Sequence, residues 1–277
     1  MRFTKMQGAG NDYIYINCFE ESVSEPEKLA VRLSDRHFGI GGDGIVLIMP
    51  SEKADVRMRM FNADGSEGKM CGNASRCIGK YVYDRGIVKK KNILLETLSG
   101  IKKLEIITDE NDRTAAVSVD MGSPEFSPPL IPMTADGESF IDSPVEINGK
   151  TVRMTAVSMG NPHAVIFVDD VSSLDLEAVG HYYENAPIFP ERVNTEFVRV
   201  INGNTLEMRV WERGSGETLA CGTGACASAA AACVCGHCRR GEDITVRLIG
   251  GELKINYTES GNIIMTGGAE FVFDGEI

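Results

Sequence analysis

The chain carries the same polar set twice, 150 residues apart, and no other feature restricts its fold as tightly. The first copy reads Glu67-Gly-Lys-Met-Cys71-Gly72-Asn73, and the second Glu217-Thr-Leu-Ala-Cys221-Gly222-Thr223. The register extends well beyond the cysteines. Asn11 maps onto Asn161, each after a glycine (Gly10, Gly160), and Arg59 onto Arg209, Phe61 onto Trp211, Asn62 onto Glu212 and Glu67 onto Glu217. Such a repeat predicts two similar halves and a site at a pseudo-twofold seam, with one thiol from each half. Two thiols facing one carbon from opposite sides are what proton exchange with inversion requires.

Length and charge agree with this. A chain of 277 residues accommodates two domains of ordinary size. The repeat places the first at residues 1–121, joined by a returning C-terminal stretch at 268–277, and the second at 122–267. Hydrophobic residues at 43% and charged residues at 25% are the balance of a globular protein in water. A net charge of −12 disfavours a nucleic-acid or anionic-membrane partner and leaves room for a small-molecule pocket. No apolar run approaches the roughly 20 residues of a membrane span. The start, Met-Arg-Phe-Thr-Lys-Met, has no apolar signal segment, so a cytoplasmic location is expected. In that setting the eight cysteines read as free thiols. Cys233-Val-Cys235-Gly-His237-Cys238 has the density of a zinc site without the second ligand pair. It is better explained as a helix end carrying incidental thiols, and no metal is expected.

Most segments read as short strands bounded by Gly, Asn, Asp and Pro, from Phe3–Met6 through Glu270–Phe273. Pro26–Arg36 and Asp175–Tyr183 read as amphipathic helices. Asn73–Arg85 and Thr223–Cys235 are small-residue helices that sheet can enclose, and Ala225–Cys233 in particular can be buried all round. The expected fold is α/β of the α+β type. It has two pseudo-symmetric domains, each a curved, mainly antiparallel sheet wrapped on a central helix whose N-terminus carries the special cysteine. The Pro-rich stretch Gly122–Pro132 is the natural crossing between them.

A helix N-terminus offers unpaired N–H groups and partial positive charge, which lower a thiol's pKa. Gly72 and Gly222 allow a ligand to approach those N–H groups closely. A carboxylate gripped there is stabilised as the neighbouring carbon loses its proton. Cys71 and Cys221 are thus the candidate acid and base. Cys18, Cys77, Cys226, Cys233, Cys235 and Cys238 read as ordinary buried small residues. Asn11 and Asn161, repeated with the thiols, read as ligands for polar substrate groups. Glu212 and Arg213, adjacent at a strand end, are suited to an ammonium and a carboxylate. A lone histidine is more often structural; His163, after Pro162, is also able to tune a nearby thiol.

These stretches, in order along nearly the whole chain, resemble the diaminopimelate epimerase family. They are Gly8-Ala-Gly-Asn-Asp12, Arg36-His37-Phe-Gly-Ile-Gly, Phe61-Asn-Ala-Asp-Gly-Ser-Glu67, Cys71-Gly-Asn73, Gly160-Asn-Pro-His163, Arg192-Val-Asn-Thr-Glu196, Trp211-Glu-Arg-Gly214 and Ala220-Cys-Gly-Thr-Gly-Ala225. The resemblance implies a cofactor-independent epimerase interconverting LL- and meso-diaminopimelate in lysine and peptidoglycan precursor synthesis, typically as a homodimer. By resemblance, Cys71 and Cys221 are the catalytic thiols. Asn11, Asn62, Gly72, Asn73, Asn161, Asn194, Glu212, Arg213, Gly222 and Thr223 bind substrate, and His163 and Glu212 adjust the thiols. The chain departs from the family at Gly44, where some members carry a substrate-contacting Gln, and at Ala74, where a second glycine is usual. A related architecture with a proline-type racemase or phenazine-pathway isomerase activity is the nearest alternative. A thiol redox or zinc-binding protein is a more distant one.

Overall fold

A computed structural model describes all residues, Met1–Ile277, as a mixed α/β fold with eighteen strands and four α-helices. Two compact units are present, Met1–Asp120 with Thr266–Ile277, and Met121–Met265.

In the first unit, β1 (Arg2–Gly8) and β2 (Asn11–Asn17) form an antiparallel pair, and α1 (Pro26–Ser34) leads to β3 (Gly44–Met49). Next come β4 (Val56–Asn62), the two-residue β5 (Glu67–Gly68) and α2 (Gly72–Asp84). The series ends with β6 (Asn92–Thr97), β7 (Gly100–Thr108) and β8 (Thr114–Gly122). Sequence alternation leads one to expect antiparallel pairing, but β2–β3 and β4–β6 are parallel. The cause is topological. A helix crosses over between the members of each pair, and such a crossover returns the chain in the same direction.

The second unit repeats this scheme. It comprises β9 (Ser143–Ile147), β10 (Lys150–Ser158), β11 (Pro162–Phe167), α3 (Leu176–Glu184), β12 (Asn194–Asn202) and β13 (Thr205–Glu212). There follow β14 (Gly216–Glu217), α4 (Gly222–Val234), β15 (Asp243–Leu248), β16 (Gly251–Tyr257) and β17 (Ile263–Gly267). The pairs β11–β12 and β13–β15 are parallel, with α3 and α4 as their crossovers. The last strand, β18 (Glu270–Glu276), lies antiparallel to β1 in the first unit, as β9 lies on β10 in the second.

The small-residue composition of α4 decides its place. Ala225 through Ala232 are all fully buried, Cys226 and Ser228 included, so sheet encloses the helix on every side. In α2, Ala74, Cys77, Ile78 and Val82 are buried, and Arg76 is fully enclosed, donating to Gly268 O and to Asn73 Oδ1. The Pro-rich stretch belongs to the second unit's core. Pro128–Leu130 forms a 3₁₀ turn, and Ile131 and Met133 pack with Phe189, Phe197 and Trp211.

Candidate active site

Each special cysteine occupies the N-cap of its unit's enclosed helix. Cys71 has extended backbone (φ −137°, ψ 123°) and its Sγ accepts from the Ala74 N–H at 3.4 Å. Cys221 does the same (φ −114°, ψ 110°), accepting from Gly224 N–H at 3.3 Å. A sulfur in this position replaces the oxygen of an ordinary N-cap and meets the N–H groups that the helix itself leaves unpaired. Upstream of each, one ion pair braces the preceding strand. Arg59 Nε lies 2.7 Å from Glu67 Oε1, and Arg209 Nε 2.7 Å from Glu217 Oε1.

In the first unit, Asn11 opens β2 with its Oδ1 3.5 Å from the half-buried Cys71 Sγ. Its Nδ2 donates to Asp43 Oδ2 at 2.7 Å, and Asp43 also accepts the Asp12 N–H at 3.0 Å. Arg36 bridges both carboxylates and the buried Lys5 pairs with Asp12 at 2.7 Å. Burial pushes the Asp43 carboxyl up. Burial acts the same way on Asp12, but hydrogen bonds from Arg36 and Lys5 outweigh it and hold that carboxyl down. Asn73 is buried, and Asn62 donates to Ser66 Oγ at 3.0 Å.

In the second unit, Asn161 Oδ1 is 3.0 Å from His163 Nε2, and its Nδ2 reaches Thr223 Oγ1 at 3.4 Å. Thr223 Oγ1 is in turn 3.5 Å from Cys221 Sγ. His163 Nδ1 is 2.7 Å from Glu196 Oε1, and both side chains are wholly buried. Glu212 accepts from the Thr218 hydroxyl and hydrogen-bonds Cys221. Burial raises its carboxyl above the usual range. Asn194 donates to Pro162 O and accepts the Arg213 N–H at 2.8 Å, so its amide holds two backbone segments in place. The Arg213 guanidinium donates to Glu191 O and forms no ion pair with a carboxylate of the protein.

One expectation needs correction. A helix N-terminus was expected to lower the pKa of both thiols. Cys221 is instead pushed well up, by burial first and then by the neighbouring Glu212 and Glu196 charges, which outweigh the Thr223 and Gly224 hydrogen bonds. At Gly44 the backbone itself is closely packed. A Cβ there would lie 2.0 Å from Phe61 O and 2.8 Å from Tyr13 Cε1, so this backbone admits no other residue at that position.

Asp43, Glu196 and Thr218 did not emerge from the sequence. Asp43 lies in a glycine-rich loop too short to interpret alone, and Glu196 ends the Arg192-Val-Asn-Thr-Glu196 stretch. Their partners are fixed by sheet register, which no local pattern encodes. Cys235 Sγ lies 3.4 Å from Thr155 Oγ1, and burial raises its thiol and those of Cys233, to about 12, and Cys238. No group of three or more His, Cys, Asp or Glu side chains is placed to share a metal ion. No helix is long and apolar enough to cross a membrane.

Comparison with known proteins follows the same lines. The diaminopimelate epimerase family model matches residues 3–127 and 155–272. The chain is 57% identical over 278 residues to the diaminopimelate epimerase of Acetivibrio thermocellus, covering 100% of this chain and 98% of that one. It is 55% identical over 283 residues to that of Desulfovibrio desulfuricans, with the same coverage. Among solved structures, a probable proline racemase from Agrobacterium radiobacter superposes with a TM-score of 0.74 at 14% identity, covering 100% of this chain and 92% of that one. A phenazine biosynthesis PhzF-family protein from Bacillus anthracis gives 0.73 at 16% identity, covering 100% and 98%. At that identity the two structures establish a shared fold and nothing finer. Full-length sequence identity is what places the chain in the diaminopimelate epimerase family.

Proposed function

We propose that the enzyme inverts the α-carbon of diaminopimelate by proton exchange between Cys71 and Cys221, the epimerase step of lysine and peptidoglycan precursor synthesis. The observation that carries this reading is the N-cap position of both sulfurs, each at the start of a buried helix and each receiving a helix N–H. We further propose that the two units are duplicated halves of one catalytic frame, each contributing one thiol. The matched ion pairs Arg59–Glu67 and Arg209–Glu217 and the matched crossover helices support it.

Cys221, whose thiol is pushed up by burial and by the neighbouring Glu212 and Glu196 charges, enters as the acid. The Cys71 thiolate then takes the α-proton, forming an S–H bond as the C–H bond breaks, and the electron pair spreads into the substrate carboxylate. Cys221 delivers its proton to the opposite face of the carbon and is left as the thiolate. The reverse direction runs from that exchanged state. The backbone N–H groups of Gly72 and Asn73, and of Gly222 and Thr223, are the donors that stabilise the carboxylate as charge builds. Glu212, in contact with Cys221, offsets the ammonium, and Arg213 grips the distal carboxylate. Asn11, Asn62, Asn161 and Asn194 fix the polar groups around the carbon. The exchange uses the chain's own acid and base, so activity is expected to survive dialysis against a chelator. Loss of activity restored by added metal would contradict this step.

The distal carboxylate grip separates this function from a proline-type racemase of the same fold. Diaminopimelate is expected to exceed proline and alanine in kcat/KM by about a hundredfold or more, the scale of one desolvated charge contact. Comparable values for proline would reassign the substrate and leave the thiol chemistry intact. The family resemblance also leads us to propose a homodimer, which sedimentation equilibrium would test.

A further inference from the structure

Asp43 has no part in the two-thiol step, yet its contacts lock it against the start of β2. Its N–H donates to Asp12 O at 2.7 Å, its carbonyl accepts the Ala63 N–H at 3.0 Å, and its Oδ2 accepts the Asp12 N–H at 3.0 Å. The parallel register of β2 on β3 sets Tyr13 opposite Gly44 and so brings Asp43 level with Asp12. From there the same Oδ2 accepts from Asn11 Nδ2 at 2.7 Å.

These contacts decide which end of the Asn11 amide faces the sulfur. Both carboxylate oxygens serve as acceptors, Oδ1 for the Arg36 guanidinium at 3.0 Å and Oδ2 for the Asp12 peptide N–H. An amide oxygen placed against Oδ2 would set two acceptors against each other, so the NH₂ end lies there. The amide oxygen is therefore the end turned to Cys71, 3.5 Å from Sγ. An oxygen in that place opposes a thiolate and accepts from a thiol, so it favours proton transfer onto the sulfur. Arg36 also holds Asp12, and the buried Lys5 pairs with Asp12 at 2.7 Å, which makes Asp43 one corner of a network of two cations and two carboxylates.

The second repeat lacks this clamp. The residue 150 positions on from Asp43 is Val193, which is fully buried. In that unit Asn161 turns its oxygen to His163 Nε2 and its Nδ2 to Thr223 Oγ1, which stands beside the Cys221 sulfur. Each half thus presents a different end of the same amide toward its thiol, and the carboxylate of Asp43 accounts for the difference.

We propose that Asp43 is a positioning residue for proton transfer: by holding the Asn11 NH₂ group it keeps the amide oxygen on the Cys71 sulfur, as acceptor for the S–H that forms when the thiolate takes the α-proton. Asp43 itself neither gains nor loses a proton in the step. The role rests on the two-thiol reading, but the orientation of the amide does not.

The test has a spectroscopic arm and a kinetic one. In the substrate-free, unsubstituted enzyme, nitrogen-15 NMR is expected to show one Asn11 side-chain amide proton shifted downfield and slow to exchange, the signal being identified by its loss in Asn11→Ser. Two Asn11 amide protons that exchange as fast as those of an exposed asparagine overturn the proposal without any Asp43 variant having to fold. In Asp43→Ala, kcat is expected to fall about tenfold, the scale of one contact inside a hydrogen-bonded network, with a smaller change in KM. Asp43→Asn removes the charge but keeps an oxygen for both N–H groups, and it is expected to recover most of kcat. In an Asn11→Ala background, Asp43→Ala is expected to cost little more, because the group it positions is already gone. An undiminished loss in that background, or equal losses in Asp43→Ala and Asp43→Asn, overturns the proposal. Failure of the two-thiol reading appears elsewhere, as turnover by a Cys71→Ala enzyme, and leaves the Asn11 amide signals unaffected.

Discussion

A sulfur at the start of a helix is under two opposing influences, and Cys221 shows which prevails. The helix N–H at 3.3 Å favours the thiolate, whereas near-complete burial beside Glu212 and Glu196 favours the thiol, and the thiol wins. The consequence for stability has a definite sign. The folded chain holds this proton above the ordinary thiol value of 9.0, so stability is unaffected up to there and declines above it, as the unfolded chain releases a proton the folded one retains. Cys221→Ser removes this contribution. Its melting temperature is expected to drop less between pH 8 and pH 10 than that of the unsubstituted enzyme, with equal drops speaking against a retained proton. Arg213 is a second residue-scale case. Its guanidinium has no carboxylate partner, and lysine keeps the charge without the planar fork. Arg213→Lys is expected to lose about tenfold or more in kcat/KM, about 1.4 kcal/mol, with part of the loss in kcat because distal binding positions the carbon. A loss confined to KM would indicate simple affinity. The sequence singles out Cys71, Cys221, Asn11 and Asn161 as candidates because they recur in one register. It could not reveal Asp43 or Glu196, whose partners lie on other strands.

Elements with a clean apolar period were legible, and those formed by pairing alone were not. The helices at Gly72–Asp84 and Gly222–Val234 lie within one residue of where small-residue runs place them. By contrast, β9 (Ser143–Ile147) contains Pro144 and alternates weakly, and it is a strand because β10 pairs with it. The two-residue β5 and β14 exist only through β4 and β13. Helix α3 shows how element contacts fix a residue. Trp211 from β13 lies across the helix and donates to Glu184 Oε2 at 2.9 Å, and a methyl group at Gly180 would stand 2.2 Å from its Cδ2. Alanine gains up to about 1 kcal/mol of helix propensity, but overpacking costs about 1–3 kcal/mol, and a separation this short puts the cost at the upper end. Gly180→Ala is therefore expected to be destabilised in urea, and a more stable variant would show that Trp211 can move aside.

At the scale of the whole chain, the C-terminal strand completes the unit that the N-terminus begins. β18 pairs with β1 from Arg2↔Glu276 to Gln7↔Glu270, and Asp274 accepts from Thr4 and pairs with Arg85 at 2.7 Å. The aromatic ring of Phe271 packs by Tyr81 and Arg85 of the first unit. Deleting residues after Ala269 is thus expected to unfold the first unit, seen as loss of amide protection in β1 and β2, while retained protection there would make β18 dispensable. The central claim is that inversion needs one sulfur from each copy of the repeat. Its most direct measurement incubates LL-diaminopimelate in D₂O with the unsubstituted enzyme, Cys71→Ala and Cys221→Ala, following α-deuterium and the meso product by NMR. The unsubstituted enzyme is expected to form meso product carrying solvent deuterium at the inverted carbon, and both variants, folded by circular dichroism, to form none. Meso product from either single variant at a rate near that of the unsubstituted enzyme would contradict the two-thiol account.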